Sequence, residues 1–213
     1  MRLVSEGPGR MPRLLAAAFL AAVTVSACGS GSSSPPAPGH AGQTTSRAAP
    51  ASASTAAALP GGGVIPVHLT LPSIGVSAAV AAVGETPTGD LQTPPDWDTV
   101  GWFSPGFRPG APGHAVLNGH LDTTVADHPT AVFWNLGKLQ LGDGVVLDGS
   151  GGSTLRFTVT ALNHYPAENA PLNQIFGPSN DSVIELVTCA GTWRGPKLGY
   201  TQRLVVTATL ERA

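Results

Sequence analysis

The sequence predicts an all-β domain, a barrel or sandwich with short helical insertions, on three observations. From Val64 onward short β-type runs alternate with Gly/Pro punctuation, no long amphipathic helix intervenes, and two strong strand patterns close the chain. The first, Val183 to Cys189, is β-branched and apolar with a single charge. The second, Arg203 to Leu210, alternates, so that Leu204, Val206, Ala208 and Leu210 share a core face and Arg203, Val205, Thr207 and Thr209 share the other. Cys189 falls in phase with Val187 and Glu185. A thiol and a guanidinium thus stand at strand ends bordering a loop, Ala190 to Gln202. If the two strands are neighbours, both groups face one cleft, an arrangement suited to nucleophilic attack beside a fixed positive charge.

At the N-terminus, Arg2, Arg10 and Arg13 precede the apolar run Leu14 to Val25. About 12 residues fall short of the roughly 20 a spanning helix needs, so the run reads as a signal-peptide core. It ends in Val25-Ser26-Ala27-Cys28, followed by Gly29 and Ser30, which resembles a bacterial lipobox and makes Cys28 the expected lipidation site. The alternatives are cleavage near Ala27 without lipid, or a Cys28–Cys189 disulfide, these being the 2 cysteines of the chain. From Gly29 to about Pro60 the chain is Ser, Ala, Pro, Gly and Thr with almost no large apolar residue, so it cannot offset the entropy of ordering. It is a flexible tether with a reach on the order of 30 Å.

Within the domain, the strand-like runs are Val64 to Leu71, Val76 to Val83, Ala115 to His120, Gly144 to Leu147 and Leu155 to Leu162, ahead of the two C-terminal ones. Val132 to Lys138 and Pro171 to Phe176 each suit a helical turn or two. The stretch Glu85 to Pro112 is rich in Pro, Gly and Asp and reads as loops, with Trp97, Trp102 and Phe103 packing over a barrel end. The chain has 213 residues and a net charge of −2, which becomes −4 when the three arginines and one glutamate of the first 27 residues are removed. No basic patch appears, which excludes nucleic acid as an expected partner.

The run Ala115 to Asp122 ends in Gly119-His120, which makes His120 available to a cleft; His40, His68, His114, His128 and His164 compete with it by composition alone. His114 is the nearest rival base. Along a continuous strand it lies about 20 Å from His120, so the two cannot both serve Cys189.

These residues carry a family resemblance. Gly119-His120-Leu121-Asp122, Leu186-Val187-Thr188-Cys189 and Arg203 stand in the order His, Cys, Arg found in sortases. Leu71-Pro72-Ser73-Ile74-Gly75-Val76, Asp98-Thr99-Val100-Gly101-Trp102-Phe103, Pro112-Gly113-His114-Ala115-Val116-Leu117 and Ala131-Val132-Phe133-Trp134-Asn135-Leu136 resemble the class F (class E/F-like) members. The likeness covers roughly Val64 to Glu211. It implies a closed eight-stranded β-barrel at 61–213, behind a lipoprotein signal peptide at 1–27 and a tether at 28–60. The implied activity is a cysteine transpeptidase that cleaves an LPxTG-like sorting signal through a thioester and passes the acyl group to an amine, a cell-wall precursor or a pilin lysine. No cofactor or metal is implied. Cys189 would be the nucleophile, His120 the proton-transfer residue and Arg203 the oxyanion or substrate-backbone clamp, with Thr188, Ala190 and Trp193 lining the substrate. Asn163 to Asn180 would form the wall that reads the signal, and a lipid on Cys28 would hold the enzyme at the extracellular face of the membrane.

Glu185 stands where the family motif usually has Thr, and His114 where relatives are apolar or carry Pro. The competing readings are a non-enzymatic metal-binding lipoprotein with His120, Asp122 and His128 as ligands, a hydrolytic cysteine peptidase, and a β-module in which Cys189 is only a buried small residue.

Overall fold

A computed structural model describes residues 62–123 and 130–212. The leader, Cys28, the tether and His128 lie outside these residues. Eight strands, β1 (Pro66–Leu71), β2 (Val76–Val83), β3 (Val100–Phe103), β4 (Gly113–Asn118), β5 (Gly144–Gly149), β6 (Thr154–Pro166), β7 (Ser182–Trp193) and β8 (Tyr200–Leu210), close a barrel in the order β1-β2-β3-β4-β7-β8-β6-β5. Two neighbour pairs, β2 with β3 and β4 with β7, are parallel; the others are antiparallel. Helical structure is limited to 3₁₀ turns at Pro72–Ile74 and Leu136–Lys138 and to α1 (Leu172–Ile175). The expected all-β barrel with short helical insertions is the observed fold.

The barrel interior is filled from every strand, with Leu69, Leu117, Leu147, Phe157, Ile184, Leu186 and Val206 essentially out of contact with water. Each such side chain contributes about 1.5–3 kcal/mol on burial. A second apolar cluster lies on the outer face of the sheet, where Val116, Val187 and Val205 from β4, β7 and β8 pack under Ile175 of α1 and beside Phe103. This is why β7 is β-branched on both faces instead of alternating: one face meets the barrel core and the other meets the β6–β7 connection.

Three expectations need correction. Val100–Phe103 was assigned to loops, but it is the strand β3, with all four residues buried. Trp97, Trp102 and Phe103 do not form one end-cap: Trp102 packs in the interior and its indole N–H donates to the Phe107 carbonyl at 3.2 Å, whereas Phe103 meets Phe176 on the outer face at 5.5 Å between ring centres. The loop after Cys189 is also shorter than Ala190–Gln202, because β7 continues to Trp193 and pairs with Tyr200 of β8. A bulge between Ala190 and Trp193 includes Gly191 at φ 80, and this irregularity ended the alternation that a sequence reading follows.

Candidate active site

The β7–β8 ladder sets Cys189 directly opposite Arg203. Antiparallel partners have Cα atoms about 4.5–5.5 Å apart, with side chains on the same face. Cys189 is a partly exposed thiol in no disulfide. Arg203 is buried, at 5% exposure, between Cys189 of β7 and Tyr165 of β6. Its Nη1 donates to the carbonyls of Gln202 at 2.8 Å and Tyr200 at 3.2 Å.

The histidine arrives from the other side of β7. Asn118 at the end of β4 pairs in parallel with Val187, and beyond it the Gly119 N–H donates to the Val187 carbonyl at 3.1 Å. The Gly119 carbonyl accepts from the Thr188 hydroxyl at 2.8 Å. Two hydrogen bonds on one glycine therefore bring His120 level with Cys189 on the neighbouring strand, although 69 positions separate the two in the chain.

A side chain at position 119 would not fit, since a Cβ there would stand 2.6 Å from Phe133 and 2.7 Å from Val132. Phe133 is fully buried and cannot yield. Gly119→Ala is therefore expected to push the His120 segment outward, costing about 1–3 kcal/mol of stability and lowering kcat/KM about tenfold or more. Thermal melting and turnover on the same sample check both.

His120 is half-buried. Its ring packs at 4.5 Å between centres against Trp97, and its Nε2 lies 3.1 Å from the Pro94 carbonyl. A carbonyl can only accept, so Nε2 carries the hydrogen and Nδ1 is left as the nitrogen able to take or give a proton. Burial pushes the imidazole pKa below 6.5, against the opposing pulls of the Pro94 bond and the Asp122 charge. The ring is thus mostly neutral near pH 7 and suited to accept a thiol proton.

The other predicted residues divide by strand parity. Thr188 and Ala190 point toward the barrel interior, at 3% and 7% exposure. Thr188 acts on the site by holding the Gly119 carbonyl, and Ala190 belongs to the core cluster. Trp193 is exposed, with its ring 5.1 Å from that of Tyr200. Tyr200 itself donates its hydroxyl to Asp122 Oδ2. Burial raises the phenol pKa well above its ordinary value, reinforced by Asp122 and Cys189. Nothing in the sequence pattern marks Tyr200, three residues before Arg203.

His114 has a different partner. Its Nδ1–H donates to Glu185 Oε1 at 2.8 Å, and Thr207 donates to Oε2 at 2.7 Å. Glu185 lies four residues before Cys189, about 13 Å along the strand, so His114 is engaged away from the thiol. Of the rival ligands His120, Asp122 and His128, the last lies outside the described residues, among which no three His, Cys, Asp or Glu side chains converge as a metal cluster.

Burial raises the Glu185 carboxyl above 4.5 despite its two hydrogen bonds. The folded state thus holds this proton more tightly than the unfolded chain. The contribution favours folding below about pH 4.5 and is lost as pH rises through the raised folded value. Glu185→Gln is expected to flatten the melting temperature against pH over that window while leaving turnover intact, as pH-scanned melts would show.

A groove of about 440 Å³ lined by Val83, Gln92, Thr93 and Pro95 adjoins Pro94. A second, of about 320 Å³, is lined by Ile74, Asp98, Val132 and Trp134 beyond Trp97.

Comparisons with known proteins bear on the family and the fold. The family model described as the sortase domain matches residues 69–211. No curated protein sequence matches the chain. Among solved structures, sortase C-1 from Actinomyces oris is 24% identical with a TM-score of 0.52, the match covering 70% of this chain and 76% of that one. A lid mutant of sortase A from Corynebacterium diphtheriae is 20% identical at TM-score 0.53, covering 70% and 71%. Sortase C2 of Group B Streptococcus Pilus Island 1 is 21% identical at TM-score 0.52, covering 68% and 73%. At these identities the structures speak for the fold, while the domain match spans most of the barrel: the chain belongs to the sortase family.

Proposed function

We propose that the protein is a class F-like sortase, a cysteine transpeptidase that cleaves an LPxTG-like sorting signal and transfers the acyl group to an amine. The observation that carries this reading is the level of three groups: Cys189 opposite Arg203 across β7–β8, and His120, just past the end of β4, clamped beside β7 through Gly119. A thiol with an ordinary pKa of about 8.5 is only a few per cent thiolate at pH 7 and needs such a base.

In this mechanism the Cys189 thiol passes its proton to His120 Nδ1 and sulfur attacks the scissile carbonyl carbon. The C–N bond breaks, and the leaving nitrogen takes the proton from His120. An acceptor amine then attacks the thioester, His120 takes the amine's proton, and the C–S bond breaks to release the thiolate, which recovers its proton from His120. Arg203 offers its guanidinium to the oxyanion or the substrate backbone. The β6–β7 connection, carrying α1 over the outer cluster, is the wall against which the signal lies.

The class assignment rests on the motif pieces given above. The surface location rests on the signal-peptide pattern and the lipobox at Cys28; among the described residues no helix is long and apolar enough to cross a membrane. Cys28→Ser is expected to move the protein off the membrane fraction with its peptide activity unchanged, read by fractionation and assay.

The direct test is incubation of residues 60–213 with a panel of LPxTG-like peptides and an amine, followed by mass spectrometry. A thioester on Cys189 and an amine-exchanged product support the reading. Hydrolysis unaffected by amine would instead make the protein a cysteine peptidase, and no thioester with any peptide would remove the sortase activity.

A further inference from the structure

The ladders that align the three groups end or are broken at the site. Paired β4 ends at Asn118, and β7 and β8 are interrupted by the bulge between Ala190 and Trp193. Beyond these points the imidazole segment and the β7–β8 hairpin are joined by side chains. The Tyr200 hydroxyl donates to the Asp122 carboxylate across 78 residues of chain. Asp122 follows His120 by two residues and makes an isolated bridge with Thr130. On the hairpin, the Tyr200 carbonyl accepts from Arg203 Nη1 at 3.2 Å, and the Tyr200 ring packs at 5.1 Å on Trp193.

We propose that Tyr200 and Asp122 are positioning residues for acyl transfer: their hydrogen bond fixes the hairpin that carries Arg203 against the segment that carries His120, and so sets the relative placement of guanidinium, thiol and imidazole. This inference rests on the sortase reading above.

The chemistry suits a permanent tie. A phenol donating to a carboxylate forms a charge-assisted bond, roughly twice as strong as a neutral one. Burial, Asp122 and Cys189 all favour the protonated phenol, so the donor is in place near neutral pH. The bond also occupies part of the Asp122 charge, which otherwise acts on the imidazole. Placement matters because a displacement of about 1 Å at a reacting group can cost about a hundredfold in rate.

The test compares Tyr200→Phe, Asp122→Ala and Asp122→Asn in the full chain. Three measurements are made: kcat and KM with peptide and amine, the rate of Cys189 alkylation by iodoacetamide, and thermal melting with near-UV circular dichroism to establish that each variant is folded. Tyr200→Phe and Asp122→Ala are expected to lower kcat about ten- to a hundredfold with KM within about twofold, and to change the alkylation rate in the same direction as each other. Asp122→Asn, whose amide oxygen still accepts from the phenol, is expected to recover most of that loss.

A folded Tyr200→Phe protein with kcat within about twofold of wild type would overturn the proposal. So would Asp122→Asn as impaired as Asp122→Ala, since the charge and not the tie would then be what matters. A loss confined to KM would overturn it too, by making the pair a substrate contact. Alkylation keeps the outcomes apart: if wild type transfers no acyl group, the sortase reading fails, yet an alkylation rate altered alike in Tyr200→Phe and Asp122→Ala and restored in Asp122→Asn still supports the tie.

Discussion

Cys189→Ala is expected to abolish both peptide cleavage and amine transfer while leaving the fold intact. The side chain is partly exposed on the outer face and loses a single sulfur atom, so its stability cost should stay near 1 kcal/mol or below. The expected chemical cost is total, because Cys189 is the thiol that β7 sets opposite Arg203. The measurement is a single-turnover incubation read by intact mass: wild type gains the mass of the acyl fragment and Cys189→Ala does not. Equal turnover in the two proteins would end the sortase reading. His120→Ala should follow with a loss of about 10² to 10⁴, the range associated with removing a general acid–base group. His114→Ala should not follow, since its ring is spent on Glu185.

Arg203→Lys is expected to reduce turnover about a hundredfold or more although the charge is kept. A planar guanidinium can hold the Tyr200 and Gln202 carbonyls while presenting further N–H groups to a developing oxyanion, and an ammonium cannot reproduce that fork. Loss of an oxyanion donor costs about 10²–10³ in kcat. A fall in kcat together with kcat/KM would place the interaction in the transition state, whereas a rise in KM alone would make it uniform binding. Full activity in folded Arg203→Lys would show that charge alone suffices. At 5% exposure, Arg203→Ala strips two carbonyls of a charged donor and should cost about 1–3 kcal/mol as well as activity.

The alternation of Leu204 to Leu210 and the phase of Cys189 with Glu185 are properties of single strands, and they were legible because side-chain direction in a strand depends only on parity. The same parity puts Thr188 and Ala190 on the interior face, opposite Cys189. Strand β3 escaped because Val100-Gly101-Trp102-Phe103 is short, buried on both sides and preceded by Pro and Asp, so it has neither period nor length. The far end of β6, through His164 and Tyr165 to Pro166, is polar enough to read as a loop, and only its pairing with β8 makes it strand. The Thr188–Gly119, His120–Pro94 and Tyr200–Asp122 contacts join residues far apart in the chain, and no local pattern announces them.

The strand order has a consequence for when the three side chains meet. The last strand, β8, lies between β7 and β6, so it alone covers an edge of each. A chain is made from its N-terminus, and until Tyr200 to Leu210 has emerged β6 and β7 are open edges able to pair with other chains. Those same last residues bring Arg203 opposite the thiol. Barrel closure and assembly of the reactive cluster are therefore one late event, built on long-range pairings of the kind that fold in milliseconds to seconds rather than microseconds. A nascent chain that has reached only Trp193 holds Cys189 and His120 without Arg203 opposite the thiol.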